Sequence, residues 1–596
     1  MILQALTGYY RRLANEGGAG IASEGFQKKG IPFLIVLNKR GEFVGLQDTR
    51  TPLGKKLVAR EFIVPKEHER SGKNAWQIAN LLWDHFGYVL AYPKADSEAN
   101  IEMAAKQHSS FLANVKKLLG KYPEDEEIEA VHRFLSDGNF DAVFSHPSWQ
   151  ECQKIPGCNL SFCLDGETRL ICNNENVRSY VVGESAVESD DEADNEGLQE
   201  IEGICLITGE HAPIARLHPR TPIPGSKSNA KIVSFQKGMG FDSYGRQQSY
   251  NAPTSKSAAF AYTTALNTLL AKGSRQRIQV GDASTVFWAE KENKIEELFA
   301  DFFGEPPKGQ SEQDNQAIKA LFKSPETGAP PLIDYDTKFY VLGLSPNAAR
   351  IAIRFWYQGS VGEVAEHIKL HFEDCSIVRS PKDPEFLSLF RLLVSMAVQG
   401  NSDNIQPKLA GDFMKAILSG TPYPKTLLSS AVRRIRAERE ITYPRTSLIK
   451  AVLVREKRFF NKTDKEVSMA LDKSNTNRGY LLGRLFSVLE RTQESASPGI
   501  NATIRDRFYG SASSTPVAVF PHLLKLKNHH ISKLENKGMA VNLEKLMGEI
   551  IDGVQDFPSH LDLADQGRFA VGYYHQRQDF FTKKDKTNTK EDNNNE

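Results

Sequence analysis

The side chains able to make or break bonds are few in this chain and poorly spaced for it. His211 and His218 stand seven apart, with Glu210 beside the first and no acid arranged to orient either ring. His367 and His371 lie four apart on a predicted helix. There Glu366 precedes the first histidine and Lys369 fills the interior, so the HExxH arrangement of a zinc hydrolase is missing. Cys152, Cys158, Cys163 and Cys172 are separated by five, four and eight residues, which are not the paired CxxC knuckles of structural zinc sites. Cys163 alternates with Phe162 and Leu164 in an expected strand, where a thiol acts as a small buried hydrophobe.

Contact chemistry is better represented. Between residues 211 and 256 there are seven Lys/Arg against one acid, Asp242. Gly225, Gly238, Gly240 and Gly245 allow close backbone approach or positive φ. Phe235, Phe241, Tyr244 and Tyr250 are interleaved with Lys237, Arg246, Gln247, Gln248 and Asn251. Aromatics beside cations suit base stacking and phosphate contact, and Arg, Gln and Asn match base-edge patterns. The plainer alternative is a structural loop that packs its rings inward. Two further segments are basic: residues 1–75 carry thirteen Lys/Arg against seven acids, and residues 425–460 ten against three. The first includes Lys55, Lys56, Lys73 and Asn74; the second includes Arg433, Arg434, Arg436 and Arg455. Net charge is only +1, so the chain is no histone-like polycation, but local basic faces are what counterion release requires.

The elements that must position these groups suggest an α+β, multidomain chain. Small β-sheet and ferredoxin-like α/β parts fill the N-terminal two-thirds, and a helical bundle closes the chain. Residues 1–98 form a mixed α/β unit, with a hairpin at Phe33–Leu37 and Glu42–Leu46, a strand at Glu61–Val64 and a helix from Asn74 to about Leu90, capped by Asn74 or Ser71. Residues 99–183 are a helical and strand insert. The run 184–202, with nine acids and no base, reads as a solvated linker. Residues 203–330 hold the basic, aromatic stretch and its anchoring helix Ala258–Leu270, and 331–468 a clear hairpin followed by basic helices. Residues 469–582 read as a self-contained helical module, and 583–596 as a disordered tail. Six cysteines, no secretory leader and no apolar run near 18 residues suggest a reduced cytoplasmic protein.

With those residues in view, the chain resembles the large subunit of the type I-C (Dvulg-subtype) CRISPR surveillance complex, or Cascade. The resemblance rests on YYRRLA at 9–14, CLITGEHAPIARLHP at 205–219, FDSYGRQQSYNAPTSKSAAFAYTTALN at 241–267, YLLGRLFSVLE at 480–490 and GYYHQRQDFF at 572–581, in that order. It implies a non-catalytic protein with no cofactor or metal in an RNA-guided antiviral ribonucleoprotein complex. Expected partners are double-stranded target DNA, its displaced strand, CRISPR RNA, the backbone, handle-binding and small subunits, and a transient helicase–nuclease. The expected tasks are recognition of the protospacer-adjacent motif (PAM), help with R-loop formation, holding the displaced strand and recruitment of the nuclease. The C-terminal module resembles the small subunit, and a start at Met469 would give a separate 128-residue chain. Chosen by chemistry within this frame, Lys55, Lys56, Lys73 and Asn74 lie near duplex DNA, joined by Lys237 and Arg246. Gln247, Gln248 and Asn251 are candidate base-edge or strand-separating contacts, and Arg433, Arg434, Arg436, Arg455 and the C-terminal helices are expected to line the path of the displaced strand. A metal-dependent nuclease using the histidines and a purely architectural scaffold are the rival readings.

Overall fold

The computed structural model describes residues 1–15, 21–53, 56–68, 70, 74–185, 201–236, 238, 240, 242, 244–304, 335–348, 350–461 and 466–581. The chain divides into two compact units: Met1–Pro219 with Val233–Thr268, and Arg220–Ile232 with Leu269–Glu596. Most of the acidic run and the C-terminal tail lie outside the described residues.

In the first unit, α1 (Ile2–Asn15) precedes β1 (Phe26–Gly30), which pairs with β6 (Glu61–Pro65). The apolar run at 33–37 becomes β2 (Phe33–Leu37), hairpinned to β3 (Phe43–Asp48) around Asn38–Gly41. A small ribbon, β4 (Thr51–Leu53) with β5 (Lys56–Val58), follows. The main sheet has the order β3-β2-β8-β7, with β8 (Asn159–Leu164) parallel to β2 and β7 (Trp83–His85) antiparallel to β8. Its core joins Phe33, Ile35 and Phe162 to Phe111 and Val115 of α3 (Glu98–Lys121) and Val131 of α4 (Glu126–Asp137). Asp125 separates those two helices, its carboxylate taking the N–H groups of Glu127 and Ile128 at 3.0 Å. Cys163 is buried in β8, as the alternation suggested, and all six cysteines are buried and free.

The helix expected from Asn74 to Leu90 does not form. Ala75–Gln77 makes a single 3-10 turn, Leu82 takes a positive φ of 59°, and only then do β7 and α2 (Phe86–Leu90) follow. Tertiary partners override the local preference. The Trp83 indole N–H donates to the Pro65 carbonyl at 2.8 Å, and the buried Asp84 accepts from the Asn80 N–H at 2.9 Å and from Arg70. A continuous helix would break all of these. Asn74 makes no side-chain cap bond, and Ser71 lies outside the described residues.

Further along this unit come α5 (Asp141–Phe144), α6 (Trp149–Gln153), α7 (Glu175–Ser185), β9 (Glu202–Ile204), β10 (His211–Pro213) and α8 (Lys256–Leu270), whose last turn reaches the unit boundary.

The second unit begins with the meander β11 (Arg277–Val280), β12 (Ala283–Ala289), β13 (Lys338–Asn347) and β14 (Arg350–Ser360), all antiparallel. On one face Phe287, Phe339 and Val341 meet α9 (Ile295–Phe303) and α10 (Val361–Cys375). Trp288, Tyr340 and Trp356 form a cross-strand aromatic row, with centroids 5.4 and 5.6 Å apart. Ser360 and Glu363 close a reciprocal capping box at the start of α10. The chain is then helical: α11 (Leu389–Met396), α12 (Pro407–Leu418), α13 (Lys425–Glu438), α14 (Tyr443–Phe459), α15 (Arg478–Ala496), α16 (Ile504–Ala512), α17 (Pro516–Ser532), α18 (Lys537–Val554) and α19 (Leu563–Asp579). One apolar core runs from the sheet through α13 and α14 into α15–α19. The mixed architecture expected from the sequence is therefore present, with sheets first and a helical bundle last. Among the described residues no helix is long and apolar enough to cross a membrane.

Candidate nucleic-acid interface

The basic, glycine-rich stretch is divided between the units: Arg220–Ile232 belongs to the second, and the parts before and after it belong to the first. Cys205 follows β9 and opens a turn in which the Gly209 N–H donates back to the Cys205 carbonyl at 2.8 Å. Leu206 N–H donates to Pro253 and Ala215 N–H to Thr254, each at 2.9 Å, so residues 205–215 lie alongside the segment leading into α8. The buried Cys205 sulfur accepts from the N–H of Ser255 at 3.2 Å and of Ile207 at 3.4 Å. Burial raises this thiol, but hydrogen bonds from Ser255 and Thr208 outweigh it and bring the pKa down to about 7. Ser249 closes the clamp, its hydroxyl donating to the carbonyls of Ala215, at 2.5 Å, and Arg216.

The described residues 235, 236, 238, 240, 242 and 244–251 follow as a tip. The Asp242 carboxylate accepts from Gly238 N–H at 2.7 Å through one oxygen and from Gln248 N–H at 2.9 Å through the other. Gln248 is buried; its Oε1 accepts from Arg216 at 2.7 Å and its Nε2 donates to the Phe235 carbonyl at 3.4 Å. The structure thus places Gln248 inside the loop as a strut and not at the surface. Asn251 is half-buried and donates to the Arg246 carbonyl at 3.0 Å. Arg246 and Gln247 are exposed, and so is Tyr244, a residue the sequence reading noted only among the aromatics. Lys55, Lys73 and Lys237 lie outside the described residues; Lys56 contributes its backbone to β5, and Asn74 is exposed.

The histidine pairs separate. His211 is exposed near Glu202, at 3.5 Å, whereas His218 is buried with its Nδ1 2.6 Å from the Tyr262 hydroxyl. His367 Nδ1 lies 2.7 Å from the Leu418 carbonyl, and the fully buried His371 lies 2.7 Å from the Tyr423 hydroxyl. Burial, with the charge of Arg455 second, holds His371 well below the usual imidazole range. Among the described residues no group of three or more His, Cys, Asp or Glu is placed to hold a metal ion.

In the second unit the arginines divide by burial. Arg433 and Arg436 are exposed on α13, three residues apart and so on one face. Arg434 is paired with Glu438 at 3.2 Å and, with Arg433 and Ser430, lines a shallow recess that also includes Gln406 and Leu409. Arg455 is 1% exposed. Its guanidinium donates to Asp374 at 2.9 Å and lies 4.2 Å from the centroid of the Tyr423 ring. Arg455 therefore does not face the surface: α14 is largely enclosed as far as Arg455, with Arg445 and Lys450 buried as well, and only its last turn, with Arg458 and Phe459, is exposed.

Fold and site together give a two-unit α+β protein that exposes a tyrosine, an arginine and an amide at 244, 246 and 247 and two arginines on α13. A profile of the family described as CRISPR-associated protein (Cas_Csd1) matches residues 6–581, and the chain belongs to that family. At the family level this gives it a large-subunit role in type I-C CRISPR interference, as a member of a multisubunit Cascade-like complex. A search of curated proteins returned no match.

Proposed function

We propose that the chain is the non-catalytic large subunit of an RNA-guided type I-C interference complex. In this reading it recognises the protospacer-adjacent motif in double-stranded DNA and assists R-loop formation. It also holds the displaced strand and helps recruit the helicase–nuclease, all in the cytoplasm. Guide RNA supplies long sequence specificity by pairing, which leaves the protein a short duplex feature and the backbone to read. The observation that carries the reading is the reach of the family match, which includes both the clamped 205–255 stretch and the terminal helices. The exposed Arg246 and Gln247 supply a phosphate contact and a base-edge amide, and Arg433 and Arg436 supply a basic helix face for a single strand.

Reconstitution tests this directly. Complexes assembled with guide RNA and the remaining subunits, with and without this chain, are compared for binding and opening of a motif-bearing duplex. The chain should be required for both. Equal opening in its absence contradicts the reading, as does metal-dependent cleavage by the chain alone.

A further inference from the structure

Among the large apolar side chains described, Tyr244 is the most exposed, at 99%. Its backbone has a φ of 54°, and Gly245 follows at 72°, so two successive residues occupy the left-handed region. Glycine adopts that region freely; a bulky aromatic residue does so only where its surroundings hold it. Asp242 provides the hold, with one carboxylate oxygen on Gly238 N–H and the other on Gln248 N–H. Gln248, itself at a φ of 49°, is fixed from below by Arg216. The ring thus stands free on a braced turn beside the exposed Arg246 and Gln247. Asp242, the single acid of residues 211–256, has both carboxylate oxygens engaged by backbone N–H groups, and the tip presents a flat ring, a guanidinium and an amide beside it.

We propose that Tyr244 stacks on a nucleobase unpaired as the target duplex opens beside the recognised motif, with Arg246 on the adjoining phosphate. A ring of this kind gains a face-to-face partner only from a base that has left the helix, which assigns it to the opened junction and not to the intact duplex. Stacking tolerates any base, so the group favours opening without adding to motif choice. The inference rests on the DNA-opening role proposed above and names one residue that performs it.

The test uses the assembled complex and a target carrying 2-aminopurine at the first pair beside the motif. A second target has that pair already mismatched open. Tyr244→Ala should lower opening on the paired duplex by about 5- to 150-fold, the range of one lost base stack. On the pre-opened target the loss should be much smaller. Tyr244→Phe and Tyr244→Trp should restore opening, and Tyr244→Leu should not. The proposal is overturned if Tyr244→Ala opens the duplex as the unaltered complex does, if Leu rescues as well as Phe, or if the only defect is in assembly with guide RNA. A complex that opens its target equally well without the chain would instead remove the underlying reading.

Discussion

Arg433 and Arg455 belong to the same basic run, yet one is exposed and the other is 1% exposed against Asp374 and Tyr423. Removing a partner from a buried ion pair leaves an uncompensated charge, whereas trimming a surface arginine changes little. Arg455→Ala should cost about 3 kcal/mol or more in chemical denaturation, although Arg458 also reaches Asp374 and softens the loss. Arg433→Ala should stay within about 0.5 kcal/mol. His575 gives a second prediction. It is fully buried with Nδ1 2.9 Å from the Tyr480 hydroxyl, and burial, aided by the charge of Lys450, holds its pKa near a value of about 3. The unfolded chain binds this proton near pH 6.5 and the folded chain does not, so stability is fullest above that pH and falls as pH drops toward 3. The loss from this group reaches about 5 kcal/mol at the acid end. Thermal unfolding followed from pH 7.5 downward should show it, and His575→Gln should flatten part of the slope. Neither burial was legible beforehand. An arginine's type shows only that it is charged, and its side depends on whether its helix lies at the edge of the bundle or within it.

At the scale of elements, alternation predicted well and capping predicted poorly. The hairpins at 33–48 and 338–360 form where apolar strand runs flank a short turn, and each is extended by a further strand, β8 beside β2 and β12 beside β13. The segment 74–90 lacks such a pattern, and its path is set by Pro65 and Arg70, which lie near in space and outside it in sequence. The crossing of α15 and α19 shows the same dependence on a partner. Gly483 and Gly572 lie where the helices touch backbone to backbone, and a Cβ on either would land on a carbonyl of the other helix, that of Phe569 or of Tyr480. Gly548, on the exposed face of α18, has open space around it. One substitution should therefore act with opposite signs. Gly483→Ala should destabilise by about 1–3 kcal/mol through overpacking, and Gly548→Ala should stabilise by about 0.5–1 kcal/mol through helix propensity. Thermal melts of the two variants decide it.

Across the whole molecule, the order of signature segments carried more than any single motif did. The resemblance drawn from five short stretches agrees with a family match spanning 6–581, while the choice of individual contact residues had less to rest on. Gln247 and Gln248 show why. They are adjacent and chemically identical, yet the second is a buried strut and the first is exposed, because Asp242 and Arg216 capture only Gln248. This gives the account its most direct test, the affinity of the reconstituted complex for duplexes that differ only in the motif, measured for the unaltered chain and for Gln247→Ala. If this tip reads DNA, Gln247→Ala should lose about 1–3 kcal/mol on the preferred motif and much less on poor ones, compressing the range. A parallel loss on every motif, or no loss on any, would contradict the claim that the 242–248 tip is where this chain meets its target.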